Sequence, residues 1–179
     1  QFGAFPRTNI PVKIESFDSY FNLVNTLIET KSIQKPRQIW WKIRPHLDYG
    51  TLEYRICDVQ RSLKKTKMLI AIVQSLVHAY DTMVTYNNNL EDMNYEILND
   101  AFWKATRFNF DAKVTDCFDG TRLTLKDYVY KMIDTIHHSL ADLGNKDIIT
   151  TLEHILESGT EADEQINFEK ENGKDKLLL

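Results

Sequence analysis

WWKIRPHLDYGTLEYRICD, residues 40–58, carries the pattern that decides the fold. Alternate residues of a strand share a face. In the first half, Trp41 and Ile43 fall on one side and Lys42, Arg44 and His46 on the other. LDYG then turns the chain. In the second half, Leu52, Tyr54 and Ile56 share a side, and Thr51, Glu53, Arg55 and Cys57 take the opposite one. Two antiparallel strands paired with their apolar sides together would gather Lys42, Arg44, His46, Glu53 and Arg55 on one sheet face.

The flanking sequence is mostly helical. QFGAFPRTNIPVKIES, broken by Pro6 and Pro11, reads as a loop. Ser16 is placed to cap a helix over FDSYFNLVNTLIET. Phe17, Tyr20, Phe21, Val24, Leu27 and Ile28 form one helical face there, the pattern of a core-packing side. Lys35 and Pro36 close that segment. Ser62 opens a long helix, LKKTKMLIAIVQSLVHAYDTMV, whose middle is apolar nearly all round and is therefore expected to be well buried. NNNLEDMN reads as a polar loop and YEILNDAFWKATRF as an amphipathic helix. DAKVTDCFDGTRLTL suits a hairpin or extended loop turning at Asp119-Gly120. Thr124, with Asp127 three residues on, predicts a capped helix through YVYKMIDTIHHSLADLG, ended at Gly144. KDIITTLEHILES gives another helix, closed at Gly159. Thr160 and Asp163 open a last short one before a frayed tail, ENGKDKLLL. The order, a little β followed by mostly α, makes one α+β unit.

Composition narrows the function. The chain has 179 residues, 42% hydrophobic and 27% charged, as in a soluble globular protein with one real core. A net charge of -4 argues against nucleic acid, whose partners carry a basic face. LIAIVQSLV, the longest apolar run, is too short to span a membrane. The opening QFGAFPRTN lacks a basic segment followed by an apolar one, so no secretory leader is expected. Two cysteines, Cys57 and Cys117, without a framework of spacings suggest a reducing cytosol, hence a cytoplasmic protein.

The charged strand face has two readings. It can be a solvated face on which Glu and Arg pair across strands. It can also be a site for an anion and its metal. Arginine forks bind phosphate or carboxylate bidentately, and a carboxylate among them suits Mg²⁺, which shares its oxygen ligands with phosphate. The other candidates are weaker. His78, His137, His138 and His154 lack zinc-site spacing, and His78 reads as a satisfied core histidine. No Gly-rich phosphate loop is present, so any nucleotide would lie on a sheet face held by side chains. Trp40, Trp41 and Trp103 read as core or core-edge aromatics.

Several stretches resemble the glutamate–cysteine ligase type-two family of carboxylate–amine ligases. FPRTNIP at 5–11 is similar to its Pro-Arg-Ser-Gly-Ile-Pro segment. WWKIRPHLDYGTLEYRICD resembles its Trp-x-Ile-Arg-Pro-His segment and the following T-x-E-x-R-x-C-D strand. FWKATRFNFDA at 102–112 is similar to Trp-x-Ala-x-Arg-Tyr-Gly, and SGTEADEQ at 158–165 to Gly-x-x-Ala-Asp-Arg-Gln. The likeness runs through the whole chain but matches only the carboxyl-terminal half of such ligases. With Gln1 in first place, residues 1–179 are expected to be the C-terminal portion of a single catalytic domain whose N-terminal half is absent.

The resemblance implies a glutamine-synthetase-like fold, an antiparallel funnel with ATP and Mg²⁺ on its inner face. It implies that ATP phosphorylates a substrate carboxylate and that an amine then attacks the acyl phosphate. By matching position, Glu53 would bind the metal. Arg55 would meet the transferred phosphate or a substrate carboxylate, and Arg44 and His46 would position phosphates or the acyl group. Arg7 and Arg107 are further candidates for holding the nucleotide. The partners implied are small amino-acid substrates, with neither nucleic acid nor membrane, and a homodimer at full length. Two departures stand out: Asn9 replaces the glycine of Pro-Arg-Ser-Gly, and Glu164 replaces the arginine of Ala-Asp-Arg-Gln. The competing expectation is a ligand- or protein-binding module that kept the sheet face and lost the chemistry.

Overall fold

Helix formation begins at Ser16 in the computed structural model, which describes residues 5–85, 93–174 and 176. The Ser16 hydroxyl accepts a hydrogen bond from the Ser19 amide, capping helix α1 (Phe17–Glu29) as its sequence predicts. A 3₁₀ turn at Pro36–Gln38 follows. Strands β1 (Ile43–His46) and β2 (Thr51–Tyr54) then pair antiparallel. Gly50, at φ 60, sits in the turn between them. These elements belong to a first compact unit, Gln1–Asp58.

The core of this unit is small. Tyr20 and Val24 of α1 pack with Ile33, Ile39 and Trp41, and Leu27, Ile28 and Leu47 border them. Trp41 is buried, as its place on the apolar side of the strand predicts, and its ring lies 6.3 Å from that of Tyr20. The expected core face of α1 is only partly used. Phe17 and Phe21 contact each other at 5.3 Å, and their side chains stay exposed. Leu52 and Ile56, on the apolar side of the second strand segment, are exposed too, as are Trp40 and, in the second unit, Trp103.

The second unit, Val59–Leu179, is helical around one hairpin. It holds α2 (Leu63–Thr85), α3 (Tyr95–Phe108), β3 (Lys113–Thr115), β4 (Arg122–Thr124), α4 (Leu125–Asp142), α5 (Ile149–Ser158) and α6 (Glu161–Asn172). The two strands pair antiparallel through a turn that places Gly120 at φ 75, as the Asp119-Gly120 pair predicts. Thr124 accepts from the Asp127 amide and caps α4, and Gly144 ends it at φ 68. The expected 146–158 helix starts as a 3₁₀ turn, Lys146–Ile148, before α5. Helix α6 starts at the Thr160–Asp163 capping box and runs to Asn172, longer than expected, ending where Gly173 takes φ 83. Residues 87–92 of the expected polar loop, and 175 and 177–179 of the expected tail, lie outside the described residues.

Met68, Ala71, Ile72 and Ala79 of α2 pack with Ile136 and Leu140 of α4 and with Leu152, Ile155 and Leu156 of α5. Ile136 and Leu140 are almost wholly buried, each adding about 1.5–3 kcal/mol of stabilisation before entropic costs. Helix α2 departs from expectation in two ways. It is not buried all round: Leu63, Ile70, Val77 and Val84, spaced by seven, remain exposed. Its 23 residues are also long and apolar enough to cross a membrane by length and composition alone, more than the run LIAIVQSLV suggested.

Candidate functional site

The charged face forms as the alternation predicts. In the β1–β2 register Arg44 opposes Glu53, and His46 opposes Thr51. The Arg55 amide donates to the Lys42 carbonyl at 2.8 Å, which carries the pairing one step past the strand ends and sets Lys42 opposite Arg55. Directly opposed residues of an antiparallel pair share a face. The five side chains singled out from the sequence therefore stand together.

Glu53 is the centre of the group. Its Oε2 accepts from Arg44 Nε at 2.6 Å and its Oε1 from Arg55 Nη1 at 2.7 Å. Burial alone would raise its carboxyl, but the hydrogen bonds and charges of Arg44 and Arg55 outweigh that and hold it below the usual carboxylate range. The two arginines differ. Arg55 keeps a third of its side chain exposed. Arg44 is buried, and its Nη1 donates to the carbonyls of Arg37 at 2.5 Å and Ile39 at 2.7 Å. A buried guanidinium is tolerable only when its donors are satisfied. Arg44 thus ties the strand to the turn before it while presenting one edge to Glu53.

Backbone pairing brings the first family-like segment to the second. The Trp40 amide donates to the Arg7 carbonyl at 2.7 Å, and the Lys42 amide to the Asn9 carbonyl at 3.1 Å. Thr8 between them is fully buried and donates to the Phe5 carbonyl. Arg7 adopts φ 65, a left-handed backbone that costs an L-residue about 1–2 kcal/mol. Its Nε is buried with no partner among the described residues, and so is Nδ1 of His46. Such orphaned groups are uncommon in folded proteins and mark places where a partner is missing. The His46 ring stacks on Tyr49 at 4.7 Å.

A cleft of about 320 Å³ opens beside this face, lined by Lys35, Arg37, Arg44, His46 and Asp48 among others. Lys35 and Arg37 were not singled out from the sequence. Two cations flanking Pro36, just ahead of the strand, were the available signal.

Arg107 belongs to the second unit. It sits at the end of α3 with its guanidinium 5.5 Å from the Phe108 ring centre. It borders a separate depression of about 600 Å³ with Asn109, Thr160 and Asp163. Here the two later family-like segments meet: Asn109 Nδ2 donates to Asp163 Oδ2 at 2.5 Å and to Thr160 Oγ1 at 3.2 Å. Asn109, at φ 50, occupies the glycine position of Trp-x-Ala-x-Arg-Tyr-Gly, so a positive φ is kept at 109 without glycine. Asn9 does not need it; the left-handed residue of its segment is Arg7. Glu164, the other departure, is ion-paired with Arg61 and with Lys65. His78 Nδ1 lies 2.9 Å from Ser139 Oγ, a satisfied histidine as expected.

Glu53 is the one carboxylate on the charged face. Among the described residues no group of three or more His, Cys, Asp or Glu could hold a metal. A single carboxylate on an accessible strand face fits Mg²⁺ in the way that ion is usually held, by one or two carboxylates plus phosphate and water oxygens.

Comparisons with known proteins give the chain a family. The model of the glutamate-cysteine ligase family 2 covers residues 1–176. A protein of Solibacter usitatus named "Putative glutamate–cysteine ligase 2" is 31% identical over 178 residues, 99% of this chain and 46% of that protein. A Chloroflexus aurantiacus protein of the same name is 30% identical over the same span. One from Gloeobacter violaceus is 31% identical over 164 residues, 92% of this chain and 44% of its own. The chain therefore spans about half the length of the curated relatives it matches.

Proposed function

Because the chain belongs to the glutamate-cysteine ligase family 2, we propose that it supplies the carboxyl-terminal part of an ATP-dependent carboxylate–amine ligase. In this reading residues 1–179 are one portion of a single catalytic domain with a glutamine-synthetase-like sheet, and the strand face at 42–55 is part of its inner wall. The substrates are amino acids, an acid such as glutamate and an amine such as cysteine. The acidic balance of the chain suits small-molecule partners in the cytoplasm better than nucleic acid, and membrane binding is not part of this reading. A homodimer of the full ligase is the working assembly.

The observation that carries the reading is the Arg44–Glu53–Arg55 arrangement inside the most family-like stretch. Phosphoryl transfer is catalysed by positioning and by neutralising charge on the phosphate oxygens. Glu53 would give one oxygen ligand to Mg²⁺, and the ion, when bound, screens the phosphate oxygens. Arg55 is exposed enough to turn from Glu53 toward the transferred phosphoryl group. Arg44 holds the Glu53 carboxylate at a fixed height above the strand, and His46 Nδ1 and Arg7 Nε have no partner among the described residues. The γ-phosphoryl group passes to the substrate carboxylate with release of ADP. The amine then displaces phosphate from the acyl carbon, giving the amide.

A second reading has one observation in its favour. Both Glu53 oxygens are already hydrogen-bonded to arginines, as they would be on a solvated face of cross-strand pairs. Glu53→Gln separates the two, measured in the polypeptide that joins this chain to the rest of the relatives' length. Loss of ADP release by about 10²–10³-fold, with circular dichroism unchanged, is the ligase outcome. Unchanged ADP release removes Glu53 from the chemistry and returns this face to solvated cross-strand pairs; no ADP release from the unaltered polypeptide leaves a binding module.

A further inference from the structure

We propose that the exposed apolar line of α2 is a contact between two copies of this chain, in which α2 pairs antiparallel with α2 of the second copy about a two-fold axis at Gln74. The inference rests on the homodimer of the ligase reading and gives it an interface. It uses none of the residues on the charged strand face.

Spacing comes first. Leu63, Ile70, Val77 and Val84 recur every seven residues and are between 41% and 89% exposed. Positions seven apart drift only about 20° per heptad around a straight helix, so the four keep to one face. Thr66, Val73 and Tyr80, each three residues further on, are half-buried and widen the line on one side. Together they make the a and d seam of a coiled coil. The opposite face of α2, with Met68, Ala71, Ile72 and Ala79, is already packed in the core. A 23-residue helix is about 34 Å long, and one such pair buries less than the roughly 800 Å² per partner of a standard interface. The contact is therefore expected to dissociate in the micromolar range.

Charge decides the occupant. Lys67, Gln74 and Asp81, also seven apart, are exposed along the other side of the line. Lys67 and Asp81 each stand seven residues from Gln74, so a two-fold axis there lays Lys67 of each copy beside Asp81 of the other. A two-fold contact needs a self-complementary surface of this kind. A contact with another segment of the same polypeptide does not. A membrane surface favours a polar edge rich in Lys and Arg, which Asp81 opposes. Both charged groups are available. Lys67 meets Asp147 at 2.5 Å with both side chains largely exposed, and an ammonium carries three donors, so it can keep Asp147 and still meet Asp81. Asp81 has no ion-pair partner among the described residues.

The test is sedimentation velocity across micromolar concentrations, on the polypeptide that joins this chain to the rest of the relatives' length. The unaltered protein is expected to dimerise. Lys67→Glu and Asp81→Lys each bring like charges together twice across the axis, and each is expected to weaken the dimer about tenfold. An equimolar mixture of these two variants is expected to restore it, because the first is acidic at both positions and the second basic at both. Ile70→Lys with Val77→Lys is expected to give a monomer throughout. All four positions are exposed, so the variants keep the fold. A dimer that these variants leave as tight, or that the mixture fails to restore, overturns the proposal and leaves a homodimer built elsewhere. A monomer at every concentration in the unaltered protein overturns the interface and the homodimer together. A dimer restored by mixing, in a protein that releases no ADP, leaves the interface standing and removes the ligase.

Discussion

Each unit of the chain holds a carboxylate between two cations, and the two grips serve different ends. In the first unit Glu53 is held by Arg44 and Arg55, nine and two residues away. In the second, Glu161 is held by Arg61 at 2.7 Å and Lys65 at 3.1 Å, across about a hundred residues of chain. Glu161 is 7% exposed and sits at the start of α6, while Lys65 lies in the first turn of α2 and Arg61 just before it, so the grip closes a long loop of the fold. Glu164 shares both cations, which leaves two acids facing two bases and no charge to spare. Around Glu53 the balance is different. Arg44 and Arg55 stand against one acid, a third of Glu53 is exposed, and a cleft opens alongside. A saturated cluster fastens, whereas one with surplus positive charge on an open strand attracts an anion.

The sharpest way to break this comparison is to neutralise each acid in turn. Glu53→Gln should lower ligase turnover by about 10²–10³-fold and change the melting temperature little. Glu161→Gln should lower the melting temperature and leave turnover per folded molecule as it was. Turnover measured beside a thermal melt for both variants decides it; if Glu161→Gln is the one that loses turnover, the division into fastening and working clusters is wrong.

Much of this contrast was legible in the sequence, and for a definite reason. Strand alternation is a strict period of two, so once 40–58 reads as a hairpin, Arg44, His46, Glu53 and Arg55 must share a face. Helix caps at Ser16, Thr124 and Thr160 are equally local, each set by one side chain and an amide within three residues. The grip on Glu161 was hidden because its members lie about a hundred residues apart and follow no period. The exposure of Phe17 and Phe21 was hidden too: periodicity shows that a face is apolar and is silent on what covers it. Lys35 and Arg37 were passed over because they surround a cleft formed by the turn at Pro36, and a turn has no repeat to read.

The two arginines that hold Glu53 should part in stability. Arg44→Lys keeps a charge but loses the fork that reaches Glu53 and two carbonyls at once. Denaturant unfolding should show a loss of about 2 kcal/mol. Arg55→Lys, a third exposed and with Glu53 as its side chain's only partner among the described residues, should lose at most about 0.5 kcal/mol. Equal losses would mean that Arg44 is no more structural than Arg55.

Acid should loosen the second unit gradually. Lys131, with Thr121, holds the Asp119 carboxyl at about 2, and Arg61 with Lys65 holds Glu161 below its usual range. A carboxyl whose folded value lies below its unfolded value of about 4 stabilises at pH above the unfolded value and loses that contribution as pH falls through the folded one. Melting temperature should therefore fall steadily from pH 4 toward pH 2. Asp119→Asn and Glu161→Gln should each flatten that curve, Asp119→Asn down to about pH 2. A curve that keeps the wild-type slope in both variants would show that neither grip survives unfolding of anything that matters to the melt.

The smallest effect tests Arg7. Arg7 and Lys31 both hold left-handed backbone, φ 65 and φ 59. Lys31 does so just past the end of α1, where its amide bonds the Ile28 carbonyl and its side chain is exposed. Glycine there should stabilise by about 0.5–1 kcal/mol, the relieved strain less the entropy that glycine adds to the unfolded chain. Arg7→Gly should give the same gain, because its Nε has no partner among the described residues. Only Arg7→Gly should then cost turnover, through a lost contact with phosphate. A rise in stability joined to a fall in turnover would set Arg7 beside Glu53 among the working groups. A fall in stability would show that its side chain packs as a fastening, and Arg7 would join Glu161.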